Sequence, residues 1–180
     1  MKKKDKYDYY YDAMDLLNMG RFALAKKLLQ QALKLDIEFI DAYNGLAAVY
    51  EDENDKNKAR ECANTAFRFT KNKFSRWPEE MYWGDMDNRP YLRAICNKAI
   101  YEHESGNYKE AKFFYNLLLR LNPHDNQGVR YLLAALYAKK PPQIVDERIS
   151  KGNEEQHWDS LEKLLNTQNK KHKFWKEPEE

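Results

Sequence analysis

Pairs of alanines recur along the chain at a spacing of 34 residues, and this repeat is the feature that most restricts the fold. Ala25 and Ala32 are followed 34 residues later by Ala59 and Ala66. Ahead of the second pair, apolar residues three and four positions apart form one helical face, at Tyr43, Leu46, Ala47 and Tyr50. A fixed period of this length predicts stacked helix pairs, each burying its apolar face against the next.

A second pattern, Gly-x-aromatic-x-x-Ala, marks two places in the chain. It reads Gly20-Arg21-Phe22-Ala23-Leu24-Ala25 near the N-terminus and Gly106-Asn107-Tyr108-Lys109-Glu110-Ala111 further on. With the period of 34, these residue types resemble the tetratricopeptide (TPR) repeat. The resemblance implies that the alanine lies where the two helices of a pair cross and that the glycine forms the turn between them. The middle copy has Asn54 in place of the glycine.

The resemblance predicts an all-α fold, a TPR-like solenoid of about three antiparallel helix pairs with C-terminal capping helices. The expected pairs are residues 7–19 with 22–35, 41–53 with 57–69, and 91–105 with 108–121. A further first helix is expected from Val129, because 34 residues also separate Ile95 from Val129.

The repeat is interrupted once. Ala59 and Ala111 are 52 residues apart, so 18 residues are inserted between the second and third copies, at about 74–91. The insertion contains Trp77 and Trp83, and disordered segments are poor in aromatic residues. We therefore expect it to fold against the helices.

The predicted organisation has three parts. Residues 1–140 form the solenoid with its insertion, residues 141–168 form capping helices, and residues 169–180 form a polar tail. Within the capping region, Gln143–Ser150 is a predicted helix that ends before Gly152, and Asn153 is expected to cap a second helix over 154–166. The tail is either disordered or a strap that returns Phe174 and Trp175 to the body, and we favour the strap.

The charge balance disfavours nucleic acid as a partner. The chain has 31 Lys and Arg residues against 29 Asp and Glu, a net charge of +2, whereas nucleic-acid-binding domains carry a basic excess or stripe. Basic runs occur only at the two ends, Lys2-Lys3-Lys4 and Lys170-Lys171-His172-Lys173. Such terminal runs are typical of solvated tails.

Other patterns indicate a cytoplasmic protein without a catalytic centre. Cys62 and Cys96 are too few for a disulfide framework. The N-terminus lacks the apolar segment of a signal peptide, and no apolar run is long enough to span a membrane. No phosphate-binding loop, nucleophile elbow or metal-ligand spacing is present in the sequence. We expect no enzymatic activity, cofactor or metal.

In TPR proteins the first helix of each pair lines a concave groove, and its side chains select the ligand. Chaperone-binding members clamp a C-terminal carboxylate with Lys, Asn and Arg. Asn44, Arg93 and Asn97 fall at or near those clamp positions, whereas Tyr10 and Met14 stand where that group has Lys and Asn. Arg93 and Arg130, about one repeat apart, are also suited to a carboxylate or phosphate.

Two further candidates carry open alternatives. Arg89 precedes Pro90 and is expected just outside the helix start, where it either contacts a ligand or pairs with Asp85 or Asp87 to brace the insertion. Gln127 lies in the segment Asp125-Asn126-Gln127-Gly128, which either caps the next helix or binds a ligand. The predicted partner-binding residues are Asn44, Arg89, Arg93, Asn97, Gln127 and Arg130.

A longer resemblance covers about residues 77–137. Trp83-Gly84, Asn88-Arg89-Pro90-Tyr91-Leu92-Arg93-Ala94 and Leu121-Asn122-Pro123-x-Asp125-Asn126-Gln127-Gly128-x-Arg130-Tyr131 resemble a group of mostly bacterial TPR-like proteins without a settled function. The leading hypothesis is an adaptor that binds a protein or peptide in its groove. The alternatives are a self-associating module built on the N-terminal tyrosines, which would form a homo-oligomer, and an accessory of nucleic-acid metabolism that grips phosphates through Arg89, Arg93 and Arg130.

Overall fold

A computed structural model describes residues 3–178, and within that range the regular structure is entirely helical. Lys2 of the N-terminal basic run and the last two residues of the predicted tail lie outside the described residues. The helices are α1 (Lys6–Asn18), α2 (Phe22–Leu35), α3 (Ile40–Asp52), α4 (Lys56–Lys73), α5 (Arg89–Glu104), α6 (Tyr108–Leu121), α7 (Val129–Tyr137), α8 (Gln143–Glu155) and α9 (Asp159–His172). A short 3-10 helix, Met86–Asn88, precedes α5. The all-α fold of TPR-like helix pairs is confirmed.

The chain divides into two compact units, and α5 contributes to both. Unit 1 contains α1 to α4, the residues up to Trp77 and the first part of α5, Arg89–Asn97. Unit 2 contains residues 78–88, the rest of α5 and everything that follows. The boundary between solenoid and capping helices at residue 140 stays a prediction.

The core of unit 1 is built on the repeated alanines. Ala25, Ala32, Ala59 and Ala66 are all fully buried. A methyl group in place of a larger side chain lets two helices approach closely, and the larger apolar side chains then pack around the crossing. The side chains packed at the α1–α3 core are Tyr10, Ala13, Leu29, Phe39, Ala42, Leu46 and Val49.

One turn geometry ends the first helix of every pair. Gly20, Asn54 and Gly106 all have positive φ, at 70°, 56° and 79°. Asparagine is the residue that best replaces glycine in this left-handed conformation, which explains why the second copy tolerates the substitution. Lys139 repeats the turn after α7 with φ 54°, and its backbone N–H donates to the carbonyl of Leu136 at 3.0 Å.

The insertion is folded against helices in both units, as its aromatic content predicts. In unit 1, Phe74 packs edge-on against Tyr91, and Trp77 packs against Phe67 and Phe74. In unit 2, the N–H of the buried Met81 donates to the backbone carbonyl at the end of α6 at 2.6 Å. The Arg120 guanidinium also donates to the carbonyls of residues 78 and 79, each at 2.8 Å.

The predicted helix break after Ser150 is wrong. Helix α8 runs through Gly152 to Glu155, and Asn153 is internal rather than a cap. Gly152 serves packing instead, because a Cβ there would lie 2.3 Å from Cδ1 of Trp158. The second helix was expected over 154–166, but α9 starts at Asp159.

The period of 34 continues into α8. Val145 and Gly152 follow Ala111 and Leu118 by 34 residues each, and all four residues are buried. Helices α7 and α8 therefore occupy the place of a fourth TPR-like pair, with α9 as the terminal helix. The spacing of 34 residues to Val145 and Gly152 was present in the sequence. The two prolines before α8 and the glycine inside α8 obscured the spacing.

Candidate functional site

Unit 1 brings together polar side chains from the first helix of three successive pairs. Tyr10 lies on α1, Asp41 on α3 and Arg93 on α5. The Arg93 guanidinium donates to the Tyr10 hydroxyl at 3.5 Å, and both residues act to lower the pKa of Asp41. These three residues form the centre of the candidate site.

A chain of amide hydrogen bonds continues from this centre along α3 and α5. The Asn97 side-chain amide donates to Oδ1 of Asn44 at 3.3 Å, and the Asn44 amide donates to the carbonyl of Pro90 at 3.0 Å. The contact ties α3 to the first turn of α5. Asn44, Arg93 and Asn97, three of the six predicted site residues, are therefore neighbours, and each is half-buried.

Burial dominates the electrostatics of the centre. Burial raises the pKa of Asp41 to about 6, although the charge of Arg93 and the hydrogen bond from Tyr10 both act to lower it. Burial also raises the pKa of Tyr10 to about 12. The positive charge beside Asp41 thus does not offset the cost of removing its carboxylate from water. Pairs with strongly shifted pKa values are enriched at functional sites.

Arg89 lies inside α5, which corrects the expectation that it stands just outside the helix. The helix begins at Arg89 and has Pro90 in its first turn, a position where proline's missing N–H costs nothing. Asn88 precedes the helix without forming a side-chain cap, and its amide donates to the carbonyl of Tyr82 instead. Whether Arg89 binds a ligand or braces the insertion stays a prediction.

Unit 2 contains the other two predicted residues, and there Arg130 has a structural partner. Its Nη1 lies 2.9 Å from Oδ2 of Asp125, whose side chain is only 1% exposed. The Asp125 carboxylate also accepts the backbone N–H groups of Val129 and Arg130, at 2.6 and 3.0 Å. Asp125 therefore caps α7, as expected, and Arg130 neutralises the buried cap. Gly128 supplies a left-handed turn with φ 68° just before α7.

Gln127 is half-buried, and its Oε1 is buried without a hydrogen-bond partner in the described structure. A buried amide oxygen that lacks a donor is costly. Gln127 also shares its position in the repeat with two residues of the unit 1 site, because it follows Arg93 by 34 residues and Arg93 follows Asp41 by 52. Arg130 shares a position with Asn44 in the same way.

The predicted site residues do not include Tyr10 or Asp41. Tyr10 departs from the carboxylate-clamp pattern, and the structure places its hydroxyl against Arg93. The repeat spacing indicated that these residues are neighbours. Equivalent positions in successive repeats are occupied by Tyr7, Asp41 and Arg93, and the positions three residues further on are occupied by Tyr10 and Asn44. Neighbouring repeats place such positions side by side.

Residues 3–178 contain no group of three or more His, Cys, Asp or Glu side chains with the geometry of a metal site. Cys96 is buried and Cys62 partly so, and burial raises the pKa of the Cys62 thiol to about 11. Over the same range, none of the helices has the length and apolar character that crossing a bilayer requires.

The tetratricopeptide repeat family model matches residues 40–73 and residues 92–125. Both segments are similar to the tetratricopeptide repeat. The matches coincide with α3–α4 and α5–α6, the second and third pairs inferred from the alanine spacing. TPR repeats form protein–protein interaction modules, and the family is generally a non-enzymatic scaffold.

A comparison with curated proteins finds no match. A solved structure of PilF from Pseudomonas aeruginosa is similar to this chain with 18% sequence identity and a TM-score of 0.39, covering 91% of this chain and 76% of that one.

Proposed function

We propose that this TPR protein is an adaptor that binds a peptide or protein segment through the first helices of unit 1. Arg93 contacts an acidic group or the terminal carboxylate of that segment, and Asn44 and Asn97 bind its neighbouring polar atoms. Tyr10 and Asp41 complete the site on the side of α1 and α3.

The observation that carries the proposal is the hydrogen bonding of Arg93, Tyr10, Asn44 and Asn97 across three first helices. The Arg93 guanidinium donates to the Tyr10 hydroxyl at 3.5 Å, at the long end of the range of hydrogen-bond distances. A guanidinium has five N–H donors in a planar fork that suits a carboxylate, so a ligand carboxylate can strengthen the set of bonds that Arg93 forms.

The amide pair supports the same proposal. Asn44 and Asn97 donate and accept through planar amides, as peptide groups do. Both are half-buried and stand on the helices that carry Asp41 and Arg93. A ligand that enters beside Arg93 therefore meets groups that can replace the hydrogen bonds its backbone loses on leaving water.

The test uses peptides selected from a random library displayed with free C-termini. Selected sequences are then synthesised with a free or an amidated C-terminus, and binding to the full chain is measured by fluorescence anisotropy. We expect amidation to weaken binding by at least tenfold, since a charge-assisted bidentate bond contributes roughly 1.5–3 kcal/mol. Equal affinity for the two forms would refute recognition of the terminal carboxylate.

The second candidate is a self-associating module. Tyr7 and Tyr11 are 48% and 56% exposed on α1, although Tyr10 between them is buried. Two exposed tyrosines on a terminal helix provide apolar surface for a second copy. Light scattering across concentrations separates the candidates, because a monomer at high concentration removes self-association.

A further inference from the structure

The C-terminal residues 173–178, here called the strap, pack against one side of α7 in unit 2. The Trp175 ring lies 4.8 Å from the Arg130 guanidinium, and its indole N–H donates to the Pro123 carbonyl at 3.4 Å. The Phe174 ring stacks on Tyr137 at 5.3 Å. The strap therefore reaches two α7 residues that are seven positions apart, and these lie on one face of the helix.

The strap is held in place by α9. The Asn169 amide donates to the carbonyl of Trp175 at 2.8 Å, and its oxygen accepts the N–H groups of Phe174 and Trp175 at 3.1 Å each. The His172 ring, at the end of α9, is nearly parallel to Tyr137 at 3.9 Å. Three hydrogen bonds from one side chain fix the backbone of the aromatic pair as it meets α7.

The face beneath the strap corresponds in sequence register to the proposed site of unit 1. Arg130 occupies the repeat position of Asn44, and Gln127 that of Asp41 and Arg93. The unpartnered Oε1 of Gln127 belongs to the same segment as Pro123, which accepts from Trp175. In unit 2, Arg130, at the repeat position of Asn44 in the proposed site of unit 1, thus meets a segment of the chain itself.

We propose that the strap is a tethered ligand of this α7 face, and that the face binds an external peptide bearing two adjacent aromatic residues in exchange for the strap. Arg130 recognises one aromatic ring by a cation–π contact, Tyr137 stacks on the other, and the Pro123 carbonyl accepts an indole N–H. Phe174 and Trp175 are only half-buried, which suits a segment that leaves and returns.

Tethering makes the strap a strong competitor. A short tether gives the strap an effective concentration in the millimolar range. The concentration of an external peptide must therefore exceed its dissociation constant by a large factor before the peptide displaces the strap. Weakening the strap should raise the apparent affinity for the same peptide without changing the face.

The probe is a fluorescent peptide with the sequence of residues 169–178, titrated by anisotropy into the full chain. We expect the double variant F174A/W175A to bind it at least tenfold more tightly than the unchanged chain. Asn169→Ala, which loosens the strap and keeps both rings, should give an intermediate affinity. A probe with alanine at both aromatic positions should bind none of the three proteins.

Equal binding to the unchanged chain and the double variant, or no binding to the double variant while its circular dichroism melt remains cooperative, would overturn the proposal. If the double variant does not fold, Asn169→Ala decides the matter, because the tethered ligand requires tighter probe binding by that variant. A dimer of the unchanged chain in light scattering, lost on F174A/W175A, would instead assign the strap to a second copy. Since all these residues lie in unit 2, failure here leaves the carboxylate site of unit 1 untouched.

Discussion

Each unit places an arginine near an aspartate, and the two pairs are used differently. In unit 2, the Asp125 carboxylate accepts two backbone N–H groups and the Arg130 guanidinium at 2.9 Å, although burial still raises its pKa. In unit 1, Asp41 is half-buried and burial raises its pKa to about 6, while the Arg93 guanidinium donates to the Tyr10 hydroxyl. The contacts of Asp125 indicate that Arg130 stabilises a helix start, whereas Arg93 is the arginine of the proposed ligand site.

The largest expected difference is between the two aspartates, in the free energy of unfolding that each one contributes. Asp125→Ala removes two helix-capping hydrogen bonds and leaves Arg130 without its partner, so we expect a loss of about 3 kcal/mol in the free energy of unfolding. Asp41→Ala removes a poorly compensated charge and should cost less than ~1 kcal/mol. Urea denaturation of both variants measures the contrast, and equal losses would show that the two aspartates are equivalent.

Replacing the two arginines should change the free energy of unfolding in the same order, with a smaller difference between them. Arg130→Ala leaves the Asp125 carboxylate buried with its two backbone donors alone, and we expect a loss of about 2 kcal/mol. Arg93→Ala should lower stability by less than ~0.5 kcal/mol, with a melting temperature close to that of the unchanged chain. A large loss for Arg93→Ala would identify Arg93 as structural and remove the basis of the proposed site.

The pH dependence isolates Asp41. The pKa of Asp41 is about 6 in the folded state against an ordinary value near 3.8, so the folded chain binds more protons between these values. The stability that Asp41 contributes is present at acidic pH and is lost as pH rises through about 6.

Asp41→Asn removes this titration, which makes the variant the matched control. From pH 4 to pH 7 we expect the unchanged chain to lose about 1–2 kcal/mol relative to Asp41→Asn. Urea denaturation of both proteins at the two pH values measures this difference. The contributions of other titrating groups are the same in both proteins and therefore cancel. A constant difference would mean that Asp41 titrates normally and that Arg93 compensates it fully.

The helix pairs were predictable because their determinants are local and repeated. Alanine at Ala25, Ala59 and Ala111 is required wherever two helices cross closely, and all three are fully buried. The turn at Asn54 was also predictable from the sequence, since few residues adopt positive φ easily.

The end of α8 could not be predicted from the local sequence. Gly152 resembles a helix stop, and its actual role depends on Trp158 six residues later.

The candidate site was only partly predictable for a related reason. The resemblance to carboxylate-clamp TPR proteins identified Asn44, Arg93 and Asn97, because these residues fall at or near the clamp positions. It could not separate Arg93 from Arg130, which both appeared as cations on the groove face. What separates them is the burial of Asp125 and Asp41, a property of packing around each carboxylate rather than of residue type.

The most direct test of the difference between the arginines is the affinity of one selected peptide with a free C-terminus for Arg93→Ala, with Arg21→Ala as the control. Arg21 is an exposed arginine of unit 1 that makes no side-chain cap bond. We expect Arg93→Ala to weaken binding at least tenfold and Arg21→Ala to change it less than twofold, with both variants folded. Equal affinity of the two variants would contradict a ligand-binding role for Arg93.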